Sequence, residues 1–150
     1  MRSLFLLAVL VPMLNVGAAE PTQQATIEDT GSTNTLGVKI VVSPGGSAQT
    51  HVQGQEARTT TINSDLSDRL FRDLKAFSPL STLPPSHCVK SVSFGTSLYV
   101  EYNGERSPDL NCPAPVGSKL AQLQKDVNEI MQAVHWKPQP AHRVERLPSK

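Results

Sequence analysis

Two cysteines, Cys88 and Cys112, flank an Asn103-Gly104 dipeptide, and joining them would restrict this chain more than any other feature of its sequence. Asn-Gly after alternating apolar residues is a strong hairpin signal, and Leu98, Val100 and Tyr102 alternate just before it. A disulfide needs the two Cα atoms within about 7 Å. It would tie the approach to the hairpin to the end of its second strand. Closing a loop of this size adds about 3 kcal/mol in the chain-entropy picture. That is a large share of the roughly 5–15 kcal/mol that holds a small domain together.

Whether the cysteines pair depends on the compartment, and the N-terminus speaks to that. Arg2 gives a short positive region, Leu4–Leu14 is apolar apart from Pro12, and Val16-Gly17-Ala18-Ala19 supplies small residues before Glu20-Pro21. That order is a signal peptide, expected to end at residue 19. The apolar stretch is too short for a bilayer of about 30 Å, which takes roughly 20 helical residues. No cysteine follows the small residues to carry a lipid anchor, and no later segment is apolar enough to span a membrane. Export to the periplasm or the extracellular space makes a disulfide the expected state of Cys88 and Cys112. A metal site at His87-Cys88 is the rival, but adjacent residues are poor zinc ligands and no second pair lies nearby. No metal or cofactor is expected.

The formal net charge is +1 and aromatic residues make up 5% of the chain, which leaves neither a basic patch nor a stacking platform for nucleic acid. Residues 20–35 are rich in Thr, Gln, Ser and Gly and read as a flexible leader. Leu36, Val38, Ile40 and Val42 alternate as in a strand. Pro44-Gly45-Gly46 turns the chain, and Ser47–Gln53 returns antiparallel. The Thr-rich stretch Glu56–Ile62 is an optional third strand. A helix capped by Asn63 or Ser64 carries Leu66, Leu70, Phe71, Leu74 and Phe77 on one face and ends at Ser78-Pro79. Asp65, Asp68 and Asp73 are expected on its solvated side. After the hairpin, Ser118 caps a helix with a stripe of Leu120, Leu123, Val127, Ile130, Met131 and Val134. Residues 137–150 read as a flexible tail. The expectation is one α+β domain over residues 36–136: a mostly antiparallel sheet, two amphipathic helices on one face, strand-strand-(strand)-helix-strand-strand-helix order, and one disulfide.

Register follows the buried face. A three-residue loop, Asn103–Glu105, would set Val100 opposite Pro108 and Leu98 opposite Leu110. Because Pro108 has no N–H to donate, its strand belongs at a sheet edge. The bridge then requires a bend between Cys88 and Gly95, since a straight run would hold Cys88 roughly 25 Å from Thr96 at about 3.3 Å per residue. Gly95 is the expected pivot.

The chain resembles a group of small exported bacterial proteins without an assigned function. The likeness rests on Phe77-Ser78-Pro79-Leu80, on Ser93-Phe94-Gly95-Thr96-Ser97, and on Asn103-Gly104-Glu105-Arg106-Ser107-Pro108-Asp109-Leu110 between the two cysteines. It spans roughly Leu36–Val134 by the strand and helix periods. It implies no activity and no site.

None of the four histidines, His51, His87, His135 and His142, stands in a metal-binding spacing, and no nucleophile elbow is present. Glu101, Asn103, Glu105, Arg106 and Asp109 make the hairpin unusually polar, either as edge protection or as a recognition loop on a fixed scaffold. These features favour an exported, non-enzymatic protein that binds another protein or an envelope component, in the manner of an inhibitor at most. The alternative is a small secreted hydrolase drawing on His87, Glu101 or Asp109. N-terminal sequencing of the expressed protein should find a chain that starts at Glu20; a product that keeps Met1 and stays in the cytoplasm would contradict export.

Overall fold

The computed structural model describes residues 23–85 and 87–141. The expected signal segment, residues 1–19, and the end of the tail, residues 142–150, lie outside the described residues. The elements in chain order are β1 (Ala25–Asp29), β2 (Val38–Val42), β3 (Ser47–Val52), β4 (Arg58–Thr61), α1 (Ser64–Phe77), a single 3-10 turn (Leu80–Thr82), β5 (Leu98–Tyr102), β6 (Glu105–Arg106) and α2 (Lys119–Ala133). The strands form one six-stranded antiparallel sheet in the order β4-β3-β2-β1-β5-β6. The α+β class, the helices and the optional third strand are as the sequence leads one to expect.

The leader is a correction. Residues 25–29 are not a solvated approach to the domain but the strand between β2 and β5. Its period of two is carried by only two apolar residues, Ala25 and Ile27, both fully buried, alternating with Thr26 and Glu28. A run so short offers no amphipathic signal of its own; pairing on both edges supplies what composition does not. Ile27 stands between Ile40 and Val100, and Ala25 between Val42 and Tyr102. The start of the tail is a second correction, because Gln139 accepts a hydrogen bond from the Leu36 amide and Ala141 donates one to Asn34. The ordered domain therefore runs wider than residues 36–136 at both ends.

Alternation assigns the two sheet faces. Ile27, Val38, Ile40, Val42, Ala48, Leu98, Val100 and Tyr102 point toward the helices and are buried. Both helices start on a side-chain cap, with the Asp65 amide donating to Asn63 at 2.8 Å and the Ala121 amide to Ser118 at 3.1 Å. Their apolar stripes, Leu70, Phe71 and Leu74 on α1 and Leu120, Leu123, Val127 and Ile130 on α2, close one core with the sheet. The second helix is thus part of the core, as its stripe predicts.

One polar group is sealed into the helix interface. Asp126 on α2 is fully buried and takes the Arg69 Nε–H of α1 on Oδ1 at 2.7 Å, while Arg69 also reaches Glu129. Its Oδ2 has no hydrogen-bond partner among the described residues. Asp73, expected in solvent, faces this group across the interface. Burial is the largest influence on Asp126 and pushes its carboxyl up. The Arg69 hydrogen bond pulls it down, Asp73 pushes it up again, and the outcome is about 6 against an ordinary 3.8. Arg69 itself is held more firmly charged, first by Glu129 and then by Asp126. The ion pair favours both charges, but for Asp126 the loss of water outweighs it.

A carboxyl raised on folding stabilises the fold fully below its unfolded value, and that contribution disappears as pH rises through its folded value. The window here runs from about 3.8 to about 6. Asp126→Asn keeps the acceptor for Arg69 and offers an N–H toward Asp73. Urea unfolding should show that the wild-type protein loses on the order of 1–3 kcal/mol across this window relative to Asp126→Asn. Parallel pH profiles for the two proteins would contradict the buried-carboxyl assignment.

Candidate functional site

The hairpin turns on a two-residue loop, with Tyr102 paired to Glu105 and Glu101 to Arg106. Asn103 and Gly104 take φ values of 51° and 78°, the left-handed pair that an Asn-Gly turn between twisted strands requires. The expected three-residue loop is therefore wrong at the turn. The apolar pairing is nonetheless restored further along the strand. The Ser107 amide donates to Val100 at 2.9 Å, and the Leu110 amide donates to Leu98 at 2.7 Å. One extra residue is thus accommodated around Pro108, and Leu110 is delivered opposite Leu98 as the buried face demands.

Side chains complete this edge where backbone cannot. Pro108 has no N–H. The Ser107 hydroxyl accepts from the Val100 amide at 3.0 Å, and Asp109 Oδ1 accepts from the Leu98 amide at 3.2 Å and the Asn111 amide at 2.9 Å. Asp109 Oδ2 receives the Lys90 ammonium. Lys90 also donates to the Thr96 carbonyl at 2.6 Å and the Ser97 hydroxyl at 2.9 Å. Burial pushes the Asp109 carboxyl up, but the hydrogen bonds from Lys90, Ser97, Asn111 and Leu98 together hold it below its ordinary value.

The five hairpin residues expected to act together separate into four groups. Glu105 lies in the core-side row beside Tyr102 and accepts the Leu80 amide, pinning the hairpin to the 3-10 turn. Asp109 is the anchor just described. Glu101 and Arg106 stand on the uncovered face of the sheet. There Arg106 pairs with Glu28, approaches Glu101 at 3.6 Å and lies 3.9 Å over the Tyr99 ring. Asn103 is an exposed turn residue. The same open face continues through Glu28 to Lys39 and His51. Glu28, Tyr99 and Lys90 have no distinguishing local motif; only the strand register and the folding back of one loop bring them here.

Cys88 and Cys112 are bonded, with Cα atoms 5.4 Å apart. The approach is bent as the bridge requires, but Gly95 is not a left-handed pivot. The turn lies at Val92–Phe94 and is closed by the Gly95 amide on the Ser91 carbonyl at 2.7 Å. Glycine is needed there for closeness, because a Cβ would sit 2.4 Å from the Ser91 oxygen and 2.6 Å from Lys90 Cβ.

A cleft of about 380 Å³ opens beside the bridge, lined in part by His87, Cys88, Lys90, Tyr99, Pro108 and Asp109. It brings together two of the residues named for a hydrolase, His87 and Asp109. Glu101 is not among them. No hydrogen bond joins His87 to Asp109 among the described residues, and the Asp109 oxygens are occupied by Lys90 and by backbone amides. Among the described residues there is also no group of three or more His, Cys, Asp or Glu placed to hold a metal, and no helix long and apolar enough to cross a membrane. No protein-family model, curated protein or solved structure matches the chain.

Asp109→Asn retains one acceptor for the Leu98 and Asn111 amides but removes the charge that receives Lys90. It should lower stability at neutral pH by about 1.5–3 kcal/mol, the scale of a charge-assisted hydrogen bond. A carboxyl lowered on folding contributes stability above its unfolded value and loses it as pH falls through its folded one. The difference between variant and wild type, read from urea midpoints, should therefore shrink below about pH 3.8. A neutral-pH midpoint equal to that of the wild type would show that the Lys90 anchor contributes nothing.

Proposed function

We propose that the protein is an exported, non-enzymatic binding protein whose partner is another protein or an envelope component. The observation that carries this reading is the state of Asp109 in the cleft beside His87. A general base must be free to take a proton, ideally with a proton affinity near the working pH. Here the carboxyl is pulled the other way, toward permanent charge, by four donors that build the edge of the sheet. The carboxyl that a hydrolase would pair with His87 is thus held by other donors.

Export is supported by the order of the first residues and by the Cys88–Cys112 bridge, which suits an oxidising compartment. Binding is supported by the division of labour in the fold. The helices and one sheet face carry the core, while the other sheet face and the bridged loop remain outside it. Loops held on a rigid scaffold are where binding residues concentrate.

The mature chain, tagged and passed over envelope and culture-fluid fractions, should retain one component in stoichiometric amount that untagged mature chain displaces. Turnover of simple ester or peptide substrates by the purified chain, abolished by His87→Ala, would overturn the reading in favour of a hydrolase.

A further inference from the structure

We infer that the contact element is the bridged loop Cys88–Ser97, and that its apolar tip fits a rounded, uncharged apolar hollow on a partner protein; this rests on the binding reading above. Among the described residues, the large apolar side chains that stand exposed are Val89, Val92, Phe94 and Val116, at 103%, 91%, 67% and 103% of full exposure. Each follows one of the two bridged cysteines closely in sequence, the first three after Cys88 and Val116 after Cys112. Single exposed apolar residues are ordinary on any surface. Their collection around one crosslink, with no comparable side chain exposed elsewhere in the described fold, is the kind of clustering that marks an interaction site.

The loop is fixed without burying those side chains. The bridge holds its base, and Lys90 ties its first half to Thr96, Ser97 and Asp109. The Ser32 hydroxyl donates to the Ser93 carbonyl at 2.9 Å, and Asn111 Nδ2 donates to the Thr96 carbonyl at 3.2 Å. Each of these bonds uses backbone or polar atoms and leaves Val89, Val92 and Phe94 outside. The ordering that binding would otherwise require is met on folding, which favours tight docking of a preformed element.

Shape and charge narrow the partner. The tip is a closed turn, with Gly95 bonded back to Ser91, and not an extended segment. It therefore suits a compact hollow better than a groove that adds a strand. From Cys88 to Ser97 the one ionisable side chain is Lys90, and Asp109 neutralises it. A neutral tip gains nothing from a charged pocket and would leave that pocket's charge desolvated and unpaired. A lipid surface fits less well, because membrane-seated elements carry exposed Lys or Arg with Trp or Tyr at the interface. This loop has no Arg, Trp or Tyr, and its lysine is turned inward. Phe94 is the natural central anchor, since aromatic residues dominate interface hot spots.

Site-directed photo-crosslinking tests this. A benzophenone amino acid replaces Phe94 in one version of the mature chain and Lys39, on the open sheet face, in another. Each is irradiated with envelope and culture-fluid fractions. Position 94 should give a protein adduct of one mass, with the link mapped to an apolar segment of the partner. Adding Val89→Ser and Val92→Ser should reduce that adduct about tenfold or more while the melting temperature stays unchanged, both side chains being exposed. An adduct from position 39 alone would overturn the loop assignment and leave the binding reading intact. No adduct from either position would overturn both. An adduct at position 94 that survives the serine substitutions, or that has twice the mass of the chain, would also overturn the proposal. So would sedimentation of the wild-type chain with phosphatidylglycerol–phosphatidylcholine vesicles that the serine substitutions abolish.

Discussion

The pairing of β1 with both β2 and β5 is the interaction on which the rest of the molecule depends. Without Ala25–Asp29 the sheet falls into a three-stranded part, β2-β3-β4, and a short hairpin, β5-β6. An isolated two-stranded hairpin is marginal in water. With β1 in place, Ile40, Ile27 and Val100 form a continuous row across the centre, and Val42, Ala25 and Tyr102 form another. These rows let α1, which follows β4, and α2, which follows β6, share one core. The contact of Phe71 with Tyr102, ring centroids 6.0 Å apart, crosses from one half to the other on that basis.

The same strand organises the surface. Beyond its end, Thr30 and Ser32 reach the second half of the chain. The Thr30 amide donates to the Ser97 carbonyl at 2.9 Å, and Ser32 binds the Ser93 carbonyl. On the open face, Glu28 pairs with Arg106 and so couples β1 to the hairpin edge. At that edge, Ser107 and Asp109 supply polar atoms where Pro108 interrupts the ladder, and Lys90 draws the bridged loop onto them. The disulfide closes an arrangement that is already hydrogen-bonded from two directions. Exposed valines and a phenylalanine on such a loop are not a failure of burial; the polar atoms around them complete their bonding and leave the apolar ones outside.

Much of this was legible in the sequence, and the exceptions have physical causes. The two helices were evident because their stripes are long and their caps are standard, with Asn63 and Ser118 accepting the bonds their types suggest. The disulfide followed from the cysteine count and from the expectation of export. β1 was not legible, since two apolar residues in five carry no pattern and its stability comes from partners on both sides. The hairpin register was half legible: the facing of Leu98 and Leu110 was right, but the loop length was not. The extra residue is placed next to Pro108 and not in the turn. The candidate site was the least legible part. The polar residues around Asn103-Gly104 stand out because charge is visible in a sequence, yet Glu105 and Asp109 turn inward to backbone amides. Val89, Val92 and Phe94 were unremarkable because nothing in their spacing distinguishes an exposed loop from a buried one.

One strand thus joins the scaffold to the bridged loop, and the rest of the fold depends on it. Amide hydrogen exchange of the protein, read by NMR at Thr26–Asp29, tests this directly. If β1 is the centre of the sheet, these amides should exchange only through global unfolding, with the same opening free energy as the amides of Val38–Val42. Exchange near the rate of an unstructured peptide at Thr26–Asp29, while Val38–Val42 stay protected, would contradict it and return these residues to the role of a leader.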